Sequence, residues 1–244
     1  MISDLTINKQ SLLMAKLSSL AYTDNVSFDG YDSKFLDKEG TQVYFLYDKD
    51  DIIIVCRGTQ PTQFSDIAAD VKFALVPSSC KVGLVHRGFK HSVDLIWDDL
   101  AKLIKKYGSN RRVWCTGHSL GAAMATLITT RCCRTEGIKN PVLFTFGSPK
   151  VGNGEYVGFM QGLDIQHYRW VNNEDIVTRN PIGRYTHHGQ LHYFDHNGNL
   201  SVLNWWQTTK DRVKGFWTGI KKGKINFFVN HEIGNYIKNL EKLD

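Results

Sequence analysis

Three observations predict an α/β fold, a mostly parallel central sheet flanked by helices on both faces, with antiparallel strands near the N-terminal edge. Apolar strand-like runs alternate with amphipathic helical stretches along the 244 residues. The run Ile52-Ile53-Ile54-Val55-Cys56 is apolar throughout, as a central strand covered on both faces requires. A second run, from Val113, leads into Gly-His-Ser-Leu-Gly (residues 117–121) and then an alanine-rich helical stretch. That pattern is a strand, a sharp turn and a helix, with Ser119 at the apex.

A serine in such a turn adopts strained backbone that lifts its hydroxyl clear of the sheet. Only very small residues two positions to either side let strand and helix approach so closely, which explains Gly117 and Gly121 around His118 and Leu120. The helix behind Ser119, running to about Arg134, aims its N-terminal N–H groups at any negative charge formed there.

The length fits one α/β domain over residues 1–244. Lysine and arginine exceed the acids by only six, with no basic run along one helix and no nucleic-acid motif, so nucleic acid is not an expected partner. Met1 to Asn8 is polar, and no stretch approaches a signal-peptide core or a membrane span. The expectation is a soluble chain, cytoplasmic as synthesised unless it leaves by another route or a signal preceded this numbering. The five cysteines lack metal-type spacing and are expected as free thiols, with Cys56 and Cys115 in buried strands.

In chain order, Asn8 to Tyr22 reads as a helix with Leu12, Leu13, Leu17, Leu20 and Ala21 on one face. Lys34–Leu36 and Gln42–Tyr47 form a hairpin around Lys38-Glu39-Gly40. After Ile52–Cys56 come a short helix over 60–70 and strands at Val71–Val76 and Val82–Val85. A long helix runs from about His86 to Tyr107, with Phe89, Val93, Ile96, Leu100, Leu103 and Ile104 inward. Past the serine elbow lie a strand at Pro141–Phe146, a helix at Gly154–Gly162 and a strand at Ile165–Val171. A hairpin around Asn197-Gly198 joins Gly189–Phe194 to Leu200–Leu203, and Ile225–Leu243 closes the chain as a helix. Arg57-Gly58-Thr59, Ser119, Gly147 and Asp175 all fall at strand ends, where parallel sheets gather reactive groups.

Five motifs occur in order between about Gln42 and Gly189: Cys-Arg-Gly-Thr (56–59), Val-His-Arg-Gly-Phe (85–89), Thr-Gly-His-Ser-Leu-Gly (116–121), Phe-Thr-Phe-Gly-Ser-Pro-Lys-Val-Gly-Asn (144–153) and Asn-Asn-Glu-Asp-Ile-Val (172–177). Together they resemble the class 3 lipases, fungal-type triacylglycerol lipases of the α/β-hydrolase superfamily. Ala122 stands where a third glycine is common, and Thr178 replaces a usual proline. The C-terminal third matches weakly.

A serine hydroxyl needs a base within hydrogen-bond reach and a third group to orient that base. The resemblance makes Asp175 the orienting acid. Of nine histidines, His118 adjoins the serine and faces the other way, and His86 matches a structural family position. His187, His188, His192 and His196 cluster near the hairpin, with His188-Gly189 resembling a non-catalytic position. His231 resembles the family's His-x-x-x-x-Tyr-x-x-x-Leu tail and completes the order Ser119, Asp175, His231; His188 is the second choice. The developing alkoxide is served by the Leu120 N–H and, by resemblance, by Thr59. No metal or cofactor is called for.

The resemblance also puts a lid helix near 60–69, with Phe64 and Ile67 on its inner face. Trp205, Trp206, Phe216 and Trp217 interleave with Lys210, Lys214, Lys221, Lys222 and Lys224, a pattern suited to an anionic lipid surface or, equally, to a core with solvated lysines. The leading expectation is hydrolysis of lipid carboxylic esters, triacylglycerol or related acylglycerols, through an acyl-serine. Phospholipase A-type action on membranes, as a toxin or effector, is the alternative, and a catalytically inactive binding module the third. Oligomeric state is not readable from the sequence.

Overall fold

A computed structural model describes residues 1–23, 26–58, 74–173, 175–201 and 229–243. Thr6 caps helix α1 (Ile7–Leu20), its hydroxyl accepting from the Lys9 N–H. Strands β1 (Asp32–Lys38) and β2 (Thr41–Tyr47) form the expected hairpin, and β3 (Asp51–Cys56) pairs antiparallel with β2. There follow β4 (Leu75–Pro77), β5 (Leu84–His86), α2 (Arg87–Tyr107), β6 (Arg112–His118), α3 (Leu120–Thr135) and β7 (Val142–Phe146). Then come β8 (Gly152–Asn153), α4 (Gly154–Gln161), β9 (Gln166–Asn172), β10 (Tyr185–Thr186), β11 (Gln190–Phe194), β12 (Leu200–Ser201) and α5 (Ile233–Leu240).

Among the described residues, eight strands form one sheet in the order β1-β2-β3-β6-β7-β9-β11-β12. Every pairing from β3 through β11 is parallel, and the antiparallel strands lie at the two edges. A smaller antiparallel sheet has the order β10-β8-β5-β4. This is the α/β-hydrolase architecture that the motif resemblance implies.

The apolar run Ile52–Cys56 of β3 divides its side chains between two cores. Ile52, Ile54 and Cys56 join the cluster containing α2 and α3, while Ile53 and Val55 join the one containing α1 and α5. Each fully buried aliphatic of this kind contributes roughly 1.5–3 kcal/mol of transfer free energy, so a polar residue at any of positions 52–56 would unseat one helix layer. On α2 the expected stripe is buried, joined by Trp97 and Ala101, with Leu103 half-buried at its margin.

The expected inner face of α1 needs correction. Leu20 is on the solvent side and Leu12 and Leu13 are half-buried, whereas Ser11, Met14, Ala15, Leu17 and Ser18 face the sheet. Two hydroxyls explain the rotation. The Ser18 hydroxyl bonds that of Thr116 on β6 at 2.9 Å, and the Ser11 hydroxyl accepts from the Trp170 indole on β9 at 3.1 Å. Small hydroxylated residues bring α1 close to the strands while satisfying buried polar atoms.

The C-terminal helix is also shorter than expected. Of the stretch 225–243, residues 225–228 lie outside the described residues; a 3₁₀ turn at Val229–His231 and extended backbone at Glu232 precede α5. The Asn230 carbonyl accepts from the Asn172 amide and the His231 carbonyl meets the His118 ring, so neither is available to continue a helix. The helix expected over 60–70, the first part of the strand expected at 71–76 (residues 71–73) and the end of the strand expected past Ser201 lie outside the described residues. No described helix is long and apolar enough to cross a membrane.

Three histidines are held neutral inside this fold. His86 caps α2, its Nδ1 accepting from the Phe89 N–H, and burial lowers its pKa to about 4. Burial likewise pushes His118 and His167 well below the ordinary value of 6.5. An unfolded chain takes up these protons as pH falls through 6.5 and the folded chain does not, so stability is fully present above 6.5 and is lost toward pH 4. Thermal melts between pH 7.5 and 4.5 should show a falling Tm. His86→Asn, which keeps a capping acceptor without titrating, should flatten that slope.

Candidate active site

Ser119 stands between β6 and α3 with φ 59° and ψ −127°, a left-handed conformation that costs a non-glycine residue energy. The strain is held by the Ser119 N–H donating to the Phe146 carbonyl at 3.0 Å, while the Ser119 carbonyl accepts from Ala122 and Ala123 in the first turn of α3. A Cβ on Gly117 would collide with the Gly121 backbone, and one on Gly121 with the Cys56 carbonyl. The close approach inferred from the motif is therefore a real steric constraint.

Asp175 lies just beyond β9, its N–H bonded to the Asn172 carbonyl at 2.9 Å. His231 comes from the 3₁₀ turn before α5. The fold unites the three: His231 Nε2 is 2.8 Å from Ser119 Oγ, and His231 Nδ1 is 3.0 and 2.9 Å from the two Asp175 oxygens. A carboxylate only accepts, so Nδ1 carries the ring proton and Nε2 accepts from the serine hydroxyl. All three side chains are buried.

A buried carboxylate needs several donors. Besides His231, Asp175 Oδ1 accepts from the Val177 N–H at 3.0 Å and Oδ2 from the Tyr236 hydroxyl at 2.6 Å. Burial and the Asp175 charge raise the Tyr236 pKa well above its usual value, so the phenol remains a donor. The same hydroxyl accepts from the Asn172 N–H at 3.1 Å. Asn172 also donates its side-chain amide to the Asn230 carbonyl and accepts from Asn239, which ties the end of β9 to the C-terminal segment.

Residues 53–185 match the family model Lipase (class 3). The chain belongs to the class 3 lipase family. It is 30% identical over 163 residues to a secreted mono- and diacylglycerol lipase A of Penicillium cyclopium, covering 64% of this chain and 51% of that protein. Against a lipase of Rhizomucor miehei it is 32% identical over 161 residues, covering 62% and 44%. The chain thus spans about half the length of these curated relatives. A solved triacylglycerol lipase in which a serine protease triad forms the catalytic centre superposes with a TM-score of 0.68 at 25% identity, covering 78% of this chain and 82% of that one.

The family match stops short of His231, and only the fold carries that residue to Ser119. Leu120 holds the first position of α3, where a backbone N–H has no acceptor within the helix. His188, the second choice for the base, is engaged elsewhere, its Nδ1 3.0 Å from Nδ1 of His167. From sequence, His118 faces away from the reacting atoms; in the fold its ring packs on that of His231, with centroids 4.5 Å apart. Thr59, Phe64, Ile67 and Glu174 lie outside the described residues, as do Trp205, Trp206, Phe216, Trp217 and the lysines around them.

Tyr236 belongs to this site without a role assigned from sequence, and Gly147, placed from sequence only at the shared strand edge, proves to supply its space. Gly147 has φ 59°, and a Cβ there would sit 2.7 Å from Asp175 Oδ2 and 2.9 Å from His231 Nδ1. The lipase motif around residue 147 and the tyrosine five places after His231 were the available signals. Gly147→Ala should displace Asp175 and His231 and suppress fluorophosphonate labelling of Ser119, with the far-UV spectrum retained. Tyr236→Phe should slow labelling by about tenfold or more, the kinetic equivalent of losing one hydrogen bond to a charged group.

Proposed function

We propose that this chain is a serine hydrolase cleaving carboxylic esters of lipids, with acylglycerols as the substrate class, through an acyl-serine intermediate. The observation that carries the reading is the 2.8 Å contact between His231 Nε2 and Ser119 Oγ, with Nδ1 held by Asp175. The names of the family relatives, acylglycerol lipases, support the substrate class.

In the proposed reaction, Nε2 takes the hydroxyl proton as Oγ attacks the ester carbonyl carbon. Asp175 stabilises the resulting imidazolium without taking its proton. The tetrahedral oxyanion is met by the Leu120 N–H and, on the family motif, by Thr59. Collapse expels the alcohol, which receives the proton from Nε2. A water then repeats the sequence on the acyl-serine, releasing the fatty acid and restoring the hydroxyl.

A second reading, removal of acyl chains from phospholipid, draws on the tryptophans and lysines of 205–224, which in this reading dock the chain on anionic lipid. Sedimentation with vesicles that contain or lack anionic lipid tests the docking. A panel of acylglycerols and phospholipids ranks the two substrate classes.

A fluorophosphonate probe followed by peptide mapping should label Ser119. Ser119→Ala should reduce turnover of a p-nitrophenyl acyl ester to background. Unchanged turnover in that variant, or labelling elsewhere, would sink the assignment.

A further inference from the structure

Behind the triad runs a second hydrogen-bonded chain with no part in the proton transfers just described. His118 Nε2 lies 2.5 Å from the backbone carbonyl of His231, and His118 Nδ1 lies 2.8 Å from the Tyr22 hydroxyl. A carbonyl can only accept, so Nε2 must carry a proton. Burial, and next the neighbouring His231, push the His118 pKa well down, so the ring is neutral and Nδ1 is an acceptor. The Tyr22 hydroxyl is therefore the donor to Nδ1. Burial raises the pKa of that phenol, which keeps its proton in place.

We propose that His118 is a positioning residue for His231, in a chain where the Tyr22 hydroxyl donates to His118 Nδ1 and His118 Nε2–H donates to the His231 carbonyl. The proposal rests on the reading of His231 as the base. The bond to the His231 carbonyl anchors the 3₁₀ turn from which the ring projects, and so sets the height of Nε2 above Ser119. The two imidazoles are in contact, with centroids 4.5 Å apart and planes at 34°. A neutral His118 fixes the base without placing a second positive charge beside the imidazolium formed in turnover.

With Nε2–H fixed by the carbonyl, Nδ1 is left as an acceptor, and Tyr22 supplies its donor. This tyrosine stands in the 3₁₀ turn Ala21–Thr23 after α1, so the N-terminal helix is coupled to a turn near the other end of the chain. Its approach depends on Gly58: a Cβ there would overlap the Tyr22 hydroxyl and lie 2.5 Å from the His118 carbonyl. A bulkier residue at 58 would push the tyrosine off the ring.

Nitrogen-15 NMR of the ring in labelled wild-type protein at pH 7 should show His118 as the Nε2–H tautomer. The Nδ1–H tautomer, or a doubly protonated ring, would overturn the proposal whether or not any variant folds. In p-nitrophenyl ester assays, His118→Leu should lower kcat by about tenfold or more, since displacement of a reacting group by about 1 Å costs up to roughly a hundredfold, while KM stays within about twofold. His118→Gln, whose amide N–H can reach the same carbonyl, should recover most of that loss. Tyr22→Phe should keep the Nε2–H tautomer that the carbonyl fixes, but leave Nδ1 without its donor and the ring less firmly held, lowering kcat without moving KM. A folded His118→Leu protein with wild-type kcat would overturn the positioning role alone. Undiminished fluorophosphonate labelling of Ser119 in His231→Ala would overturn the base assignment and the positioning role with it.

Discussion

An imidazole must meet a hydroxyl that stands 112 residues earlier in the chain, at 2.8 Å and inside the protein. This contact constrains everything around it. The hydroxyl is lifted to the end of β6 by a strained backbone, and the strain is tolerable because Phe146 on the neighbouring strand holds the Ser119 N–H. The imidazole arrives from a short turn whose carbonyls are claimed by Asn172 and His118 rather than by the next helical turn. A helix through His231 would give up both anchors.

Buried charge is the second constraint. Asp175 is sealed from solvent, and such a carboxylate is tolerable only when its oxygens are supplied with donors. Val177 supplies a backbone donor, Tyr236 a phenol that remains protonated, and His231 its Nδ1–H. The space for this cluster comes from Gly147, where a side chain would overlap both Asp175 and His231. The elements that supply charge compensation thus also set the geometry on which the proposed acyl transfer depends.

The polar seams inside the fold follow the same logic. Where α1 crosses β6 and β9, Ser11 and Ser18 face the strands, and their hydroxyls bond the buried Trp170 indole and Thr116 hydroxyl. Neutral histidines serve in the same capacity: His118 and His167 each bond through both ring nitrogens, and His86 caps α2 through Nδ1. Burial is what keeps them uncharged, so the hydrogen-bond pattern and the protonation state depend on each other.

The sequence by itself determined the sheet and the elbow. Apolar period, turn residues and glycine spacing are local properties, and β3, α2 and the Ser119 turn each announce themselves within a few residues. Asp175 and His231 were legible as a pair only through motif order and chain order, because a carboxylate and an imidazole carry no local mark of the partner they will meet. Tertiary structure alone decided the rest: the face α1 turns to the sheet, the break before α5, the use of Gly147 as empty space, and the contacts of Tyr22 and Tyr236. Each depends on which donors and acceptors are left unpaired when remote segments converge, and that count exists only once the chain is folded.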